Sequence, residues 1–137
     1  MAHLAFSTAL RTSRATAIVT ALDAAATPGK FLLYTGTQPA SGAAITTETL
    51  IGTCVLSKPC GTVTSGVLTF LAIADDPIAD ASGTIAWARG LNGDNNFVLD
   101  MSCGATGGAQ ALLFNTLSAQ AGGVIQILSG SITEGNA

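Results

Sequence analysis

Residues 84–101 read Thr84-Ile85-Ala86-Trp87-Ala88-Arg89-Gly90-Leu91, then Asn92-Gly93-Asp94-Asn95-Asn96, then Phe97-Val98-Leu99-Asp100-Met101. Asn, Gly and Asp tolerate the positive φ angles of a tight reversal, so 92–95 predicts a hairpin turn between two strands. In the first strand Ile85, Trp87 and Leu91 alternate with Thr84, Ala86 and Ala88; in the second Phe97, Leu99 and Met101 alternate with Val98 and Asp100. Successive side chains of a strand point to opposite faces, which gives each strand a heavy face and a light one. Arg89 falls on the heavy face, so it sits at the sheet margin or beside a carboxylate such as Asp100 or Asp76. Trp87 shares that face and is read as core burial rather than as an exposed platform for a sugar ring, and Tyr34 is treated the same way.

Working outward, short runs of β-branched and apolar residues separated by Gly, Ser, Asp and Pro predict strands at 30–35, 49–56, 67–73, 84–91, 97–101, 111–115 and 124–132. Leu68, Phe70 and Ala72 share one face, and Ile125 and Ile127 another, as opposed sheets require. The segments 37–42 and 74–80 are the main irregular loops. The stretch before Pro28-Gly29 has a different texture. Residues 8–26 hold no Gly or Pro, and Leu10, Ala17, Ala21 and Ala24, with Ile18 and Leu22, recur at three- and four-residue steps. That spacing predicts a helix with Ser7 as N-cap and Thr27-Pro28-Gly29 as its stop. A secretory signal fits less well, because Thr16 and Thr20 interrupt the apolar run and Asp23 precedes the small residues of a cleavage site. With 137 residues the chain makes one domain, divided into an N-terminal arm or helix at 1–27 and a sandwich at 28–137. The expected class is all-β, a jelly-roll-like antiparallel β-sandwich with a short N-terminal helix.

Charge is the unusual quantity. Charged residues make up 9% of the chain, against about 25% in an average soluble protein. Hydrophobic residues reach 48% with a net charge of −3, so the chain is not disordered, and no apolar run approaches the ~20 residues that cross a bilayer. Five Lys and Arg form no basic stripe, which argues against nucleic acid as a partner.

Catalytic chemistry finds few candidates. The single histidine is His3, next to a terminus. Three cysteines, Cys54, Cys60 and Cys103, fit neither a paired disulfide framework nor a zinc half-site. They read as buried thiols, with a Cys54–Cys60 bridge left open. Asp75, Asp76 and Asp80 lack calcium-loop spacing and read as a solvated loop, and the glycines of 104–108 match no phosphate-binding pattern. The reading is of a non-enzyme with no metal and no cofactor. A surface of Thr, Ser, Gly, Asn and Ala suits a protein that spends its life assembled, because charge is depleted at the centres of interfaces.

A resemblance supports this. The helix carrying Leu10-Arg11 and Ala21-Leu22, then Pro28-Gly29-Lys30-Phe31-Leu32-Leu33-Tyr34-Thr35-Gly36-Thr37-Gln38-Pro39-Ala40-Ser41-Gly42, resembles small virion proteins of tailed bacteriophages. The likeness continues through Ala81-Ser82-Gly83-Thr84-Ile85-Ala86-Trp87-Ala88-Arg89, the turn at 92–95, residues 112–116, and Ala121-Gly122-Gly123-Val124-Ile125 to Ser131-Ile132-Thr133-Glu134, covering nearly the whole chain. It departs at Cys54 to Cys60, where Lys58-Pro59 replaces a plainer passage from strand to loop.

The resemblance implies a capsid decoration, or cement, protein. Such a protein lies on the outer surface of the virion, is assembled in the host cytoplasm, and binds the major capsid protein and itself as a dimer or a trimer. The alternative is a tail or fibre component, or a glycan-binding sandwich. The family offers no motif of functional residues, so contact positions are expected on physical grounds at Leu10, Arg11, Arg14, Ile18 and Leu22 of the helix, and at Gln38, Asp75 and Asp76 of the long loops.

Overall fold

A computed structural model describes residues 4–135. One helix, α1 (Thr8–Leu22), precedes ten strands: β1 (Lys30–Tyr34), β2 (Leu50–Val55), β3 (Gly61–Thr64), β4 (Val67–Phe70), β5 (Gly83–Thr84), β6 (Trp87–Leu91), β7 (Phe97–Ala105), β8 (Leu112–Phe114), β9 (Ser118–Ala119) and β10 (Ile127–Thr133). Eight of them form one sheet in the order β2-β1-β6-β7-β8-β10-β4-β3, and β5 pairs with β9 apart from it. The sheet curls into two layers. Phe31 of β1 meets Phe70 of β4 edge-on with ring centroids 5.2 Å apart, although the strands lie near opposite ends of the order. Phe31, Leu33, Ile51 and Met101 from one layer and Leu68, Phe70, Leu112 and Phe114 from the other belong to one buried cluster. The fold is therefore all-β and sandwich-like with an N-terminal helix. It is mixed rather than wholly antiparallel, because β7 and β8 run parallel. They overlap by only three residue pairs, so residues 106–111 can return the chain without a helical crossover.

The expected hairpin forms, with β6 and β7 antiparallel and Asn95 at φ 66°. The Asn92 side chain accepts hydrogen bonds from Asp94 N and Asn96 N, which fixes the turn. The faces differ from the alternation in the sequence. A bulge between Gly90 and Leu91 pairs Leu91 with Phe97 and Gly90 with Leu99, so Phe97 and Leu99 lie on opposite faces. The sandwich core sees the light side of β6: Ala88 and Gly90 lie opposite Leu33 and Phe31 of β1. Gly90 leaves room there for Leu99, whose Cδ2 would lie 2.7 Å from a Cβ. The heavy side, Trp87 and Arg89, faces outward and is buried all the same.

The remaining elements also depart in detail from expectation. The stretch expected as one strand at 84–91 is split between β5 and β6, and that expected at 124–132 begins only at Ile127. Strand β3 was not expected. It closes onto β4 through Ser65 and Gly66, both at positive φ as in a type I′ hairpin. The Cys54–Cys60 passage holds a cis Lys58–Pro59 bond, and all three cysteines are buried free thiols, so no bridge joins Cys54 to Cys60.

Ser7 caps α1, its Oγ accepting from Leu10 N at 3.1 Å. The helix ends at Leu22 with Asp23 as C-cap, before the Pro28-Gly29 stop. Its buried stripe is Ala15, Ile18, Val19 and Leu22, while Leu10 and Ala17 are exposed. The stripe falls there because Ala15, Ile18 and Leu22 follow the three- and four-residue steps of one face, and small Ala15 lets the helix come close to the sheet. α1 is not a free arm: it packs on β3 and β4, Thr12 Oγ1 accepts from Gly66 N at 2.9 Å, and Leu22 is fully buried. At its C-terminal end Lys58 Nζ donates to the carbonyls of Asp23 and Ala25, where a cation also favours the helix dipole.

Candidate functional site

The expected contact residues do not share one surface. On α1, Leu10 is exposed and Arg14 pairs with Glu134 at 3.1 Å, whereas Arg11 and Ile18 are half-buried and Leu22 is wholly inside. Leu22 and Ile18 therefore serve the core in this fold. Gln38 is exposed on the loop after β1, and Asp75 on the loop after β4.

Asp76, expected in a solvated loop, is 9% exposed and committed internally. Its Oδ2 accepts from Thr53 N at 2.8 Å and its Oδ1 from Ile78 N at 3.0 Å. Its backbone exchanges both hydrogen bonds with Ile125. Asp80 N donates to Ile51 O and Ala74 N to Val55 O, so the 74–80 loop covers alternate residues along the outer edge of β2. An uncovered strand edge is a template for pairing with other chains, and this edge is closed. The sequence signal for it is Gly52, a glycine inside a strand. A Cβ there would lie 2.5 Å from Asp76 Oδ2.

The long loop after β1 is pinned as well. Arg89 Nε and Nη2 bind the Asp100 oxygens at 2.8 and 3.0 Å, the carboxylate partner expected from the sequence, and Nη2 also donates to Ala43 O at 2.8 Å. The guanidinium lies over Trp87 at 5.4 Å and Phe97 at 5.1 Å. The Asp100 hydrogen bonds raise the Arg89 pKa further, keeping it charged. Phe97 in turn fills the space a Cβ on Gly42 would take. Trp87 stacks on Tyr34 with centroids 4.8 Å apart and donates from its indole nitrogen to Thr35 O. Both rings are buried, so neither offers a flat face to a sugar.

Nucleophilic chemistry is poorly served by the buried thiols. Burial pushes Cys54, Cys60 and Cys103 each up to about 12, far from the thiolate a nucleophile needs. Among the described residues no group of three or more His, Cys, Asp or Glu could hold a metal, and no helix is long and apolar enough to cross a membrane. His3 lies outside the described residues.

What the surface does offer is clefts bordered by exposed apolar residues. Past Phe70 the chain leaves β10 for the edge of β2, and the two strands part to open a cleft of about 300 Å³. Leu71, Asp75, Gln126 and Leu128 are on its walls. Gln126 also borders a second cleft with Val124, and the 76–79 segment runs beside 123–125, Ala79 N bonding Gly123 O. Ile78 and Val124 are 66% and 68% exposed. No protein-family model, curated protein or solved structure matches this chain.

Proposed function

We propose that this chain is a structural virion protein that decorates and cements the outside of a tailed-phage capsid. It binds across neighbouring major capsid subunits and assembles as a homo-oligomer in the host cytoplasm. The observation that carries the reading is a charge-poor sandwich whose exposed loops are held rigid from within. The 40–44 segment is tied down by Arg89 and Phe97, and the 74–80 loop by Asp76, so both meet a partner without first losing conformational freedom. Large apolar side chains such as Ile78 on the 74–80 loop and Val124 are exposed and offer apolar contact to a partner. Nothing in this role is catalytic.

A clamp of this kind works by linkage. A protein that binds the intact lattice and not its separated subunits stabilises the lattice, and touching two subunits at once places the second contact at a high effective concentration. Co-sedimentation of the purified protein with undecorated heads, titrated to saturation, tests it. The expected result is a fixed ratio of copies per capsid subunit and heads that survive greater heat. A folded protein that never sediments with heads sinks the proposal and leaves the tail or fibre reading.

A further inference from the structure

Six of the eight large apolar side chains exposed among the described residues lie toward the two ends of the β4–β10 strand pair, Val55 of β2 and Phe97 of β7 being the others, and the charges beside the two groups are opposite. β10 runs from Ile127 at the cleft to Thr133, a span of ~20 Å, and Glu134 then meets Arg14 of α1. At the cleft end Leu71, Leu128, Ile78 and Val124 are exposed, with the carboxylates Asp75 and Asp80 also exposed. Residues 71–80 and 120–130 contain no Lys or Arg. At the helix end Leu4 and Leu10 are exposed, and Arg11 and Arg14 outnumber the single acid, Glu134. Arg14 keeps a 44% exposed side chain even while paired.

We infer that the helix end of one copy of this chain docks on the cleft end of the next. The apolar side chains meet at the centre, and the Arg14 side meets Asp75 and Asp80 at the rim. Because the two surfaces lie at opposite ends of the same ribbon, the contact is heterologous: it repeats head to tail and closes into a ring if the rotation allows. An isologous dimer built on either patch alone would set like charges against each other. In a chain with 13 charged residues, this end-to-end separation of sign is a large share of its electrostatics. The inference goes beyond capsid binding and is tested on the protein alone.

Sedimentation equilibrium of the full chain over a range of concentrations, with Ile78→Asp and Leu10→Asp variants, gives the test. Both positions are exposed, and melting curves matching the unsubstituted protein would verify that each variant folds. Each variant is expected to lose self-association by about tenfold or more. An equimolar mixture of the two is expected to recover a 1:1 complex, because each variant keeps the surface the other has lost. Arg14→Asp should weaken association, and Asp75→Arg in the same chain should restore part of it. A protein that stays monomeric throughout overturns the inference, as does association broken by one variant and untouched by the other. Failure of the mixture to recover the complex overturns it as well.

Discussion

The carboxylate of Asp76 takes the place of a missing strand beside Thr53, accepting from its N–H at 2.8 Å across 23 residues of chain. The same side chain closes its own loop at Ile78 N. Replacing Asp76 with Ala leaves two N–H groups without acceptors, and an unsatisfied buried donor costs about 1–3 kcal/mol. Urea denaturation of Asp76→Ala should show a loss of that order, and amide exchange at Thr53 and Ile78 should quicken first. An unchanged midpoint would mean that water replaces the carboxylate at no cost.

Arg89 is expected to resist even conservative exchange. Lysine cannot span both Asp100 oxygens or lie flat between Trp87 and Phe97. Arg89→Lys should destabilise the protein by about 1–3 kcal/mol, with the 40–44 segment exchanging amide hydrogens faster. Comparison of exchange maps for the two proteins checks this.

The thiols set a pH dependence at the alkaline end. Each is raised from an ordinary value of 9.0 to about 12 by burial, so folding holds protons that the unfolded chain releases. Their contribution to stability is complete below pH 9.0 and is lost as pH rises toward about 12. Tyr34, raised chiefly by burial, acts in the same direction. Denaturation midpoints should fall from pH 8 to pH 10.5, and less steeply when all three cysteines are Ala. In the native protein the thiols should react with iodoacetamide only at the rate of unfolding.

Helix α1 should behave as part of the core. Leu22→Ala removes a fully buried side chain, for which losses of about 2–5 kcal/mol are usual. Thermal melting should show one cooperative transition shifted downward. A separate early transition for the helix would instead make it an independent arm.

The parts legible in the sequence were those set by neighbouring residues. The 92–95 turn, the Ser7 cap and the existence of the helix follow from local chemistry, and the Arg89–Asp100 pair follows from the hairpin they share. The faces of β6 and β7 were not legible, because a bulge at Val98 shifts the period of two in β7 and because Ala88 and Gly90 of β6 make room for Phe31 and Leu33 from another strand. Asp76 was misread because its partner is distant in sequence, although Gly52 marked the close approach. Strand β3 was missed although Ser65-Gly66 is a hairpin dipeptide. On α1 the spacing alone does not separate residues that face the core from those that face outward: Leu22 is buried, while Leu10 and Arg14 are exposed.

The continuity of the sheet has a mechanical consequence. At one margin the two layers are joined through β8, three residues bonded to β7 on one side and β10 on the other. At the opposite margin the join is the run of hydrogen bonds around Asp76. A force that shears one layer past the other is carried along these two seams, while the long β6–β7 and β1–β2 ladders stay unloaded. Under tension the molecule yields at β8 or at Asp76 first, and its outer layers remain intact as it does.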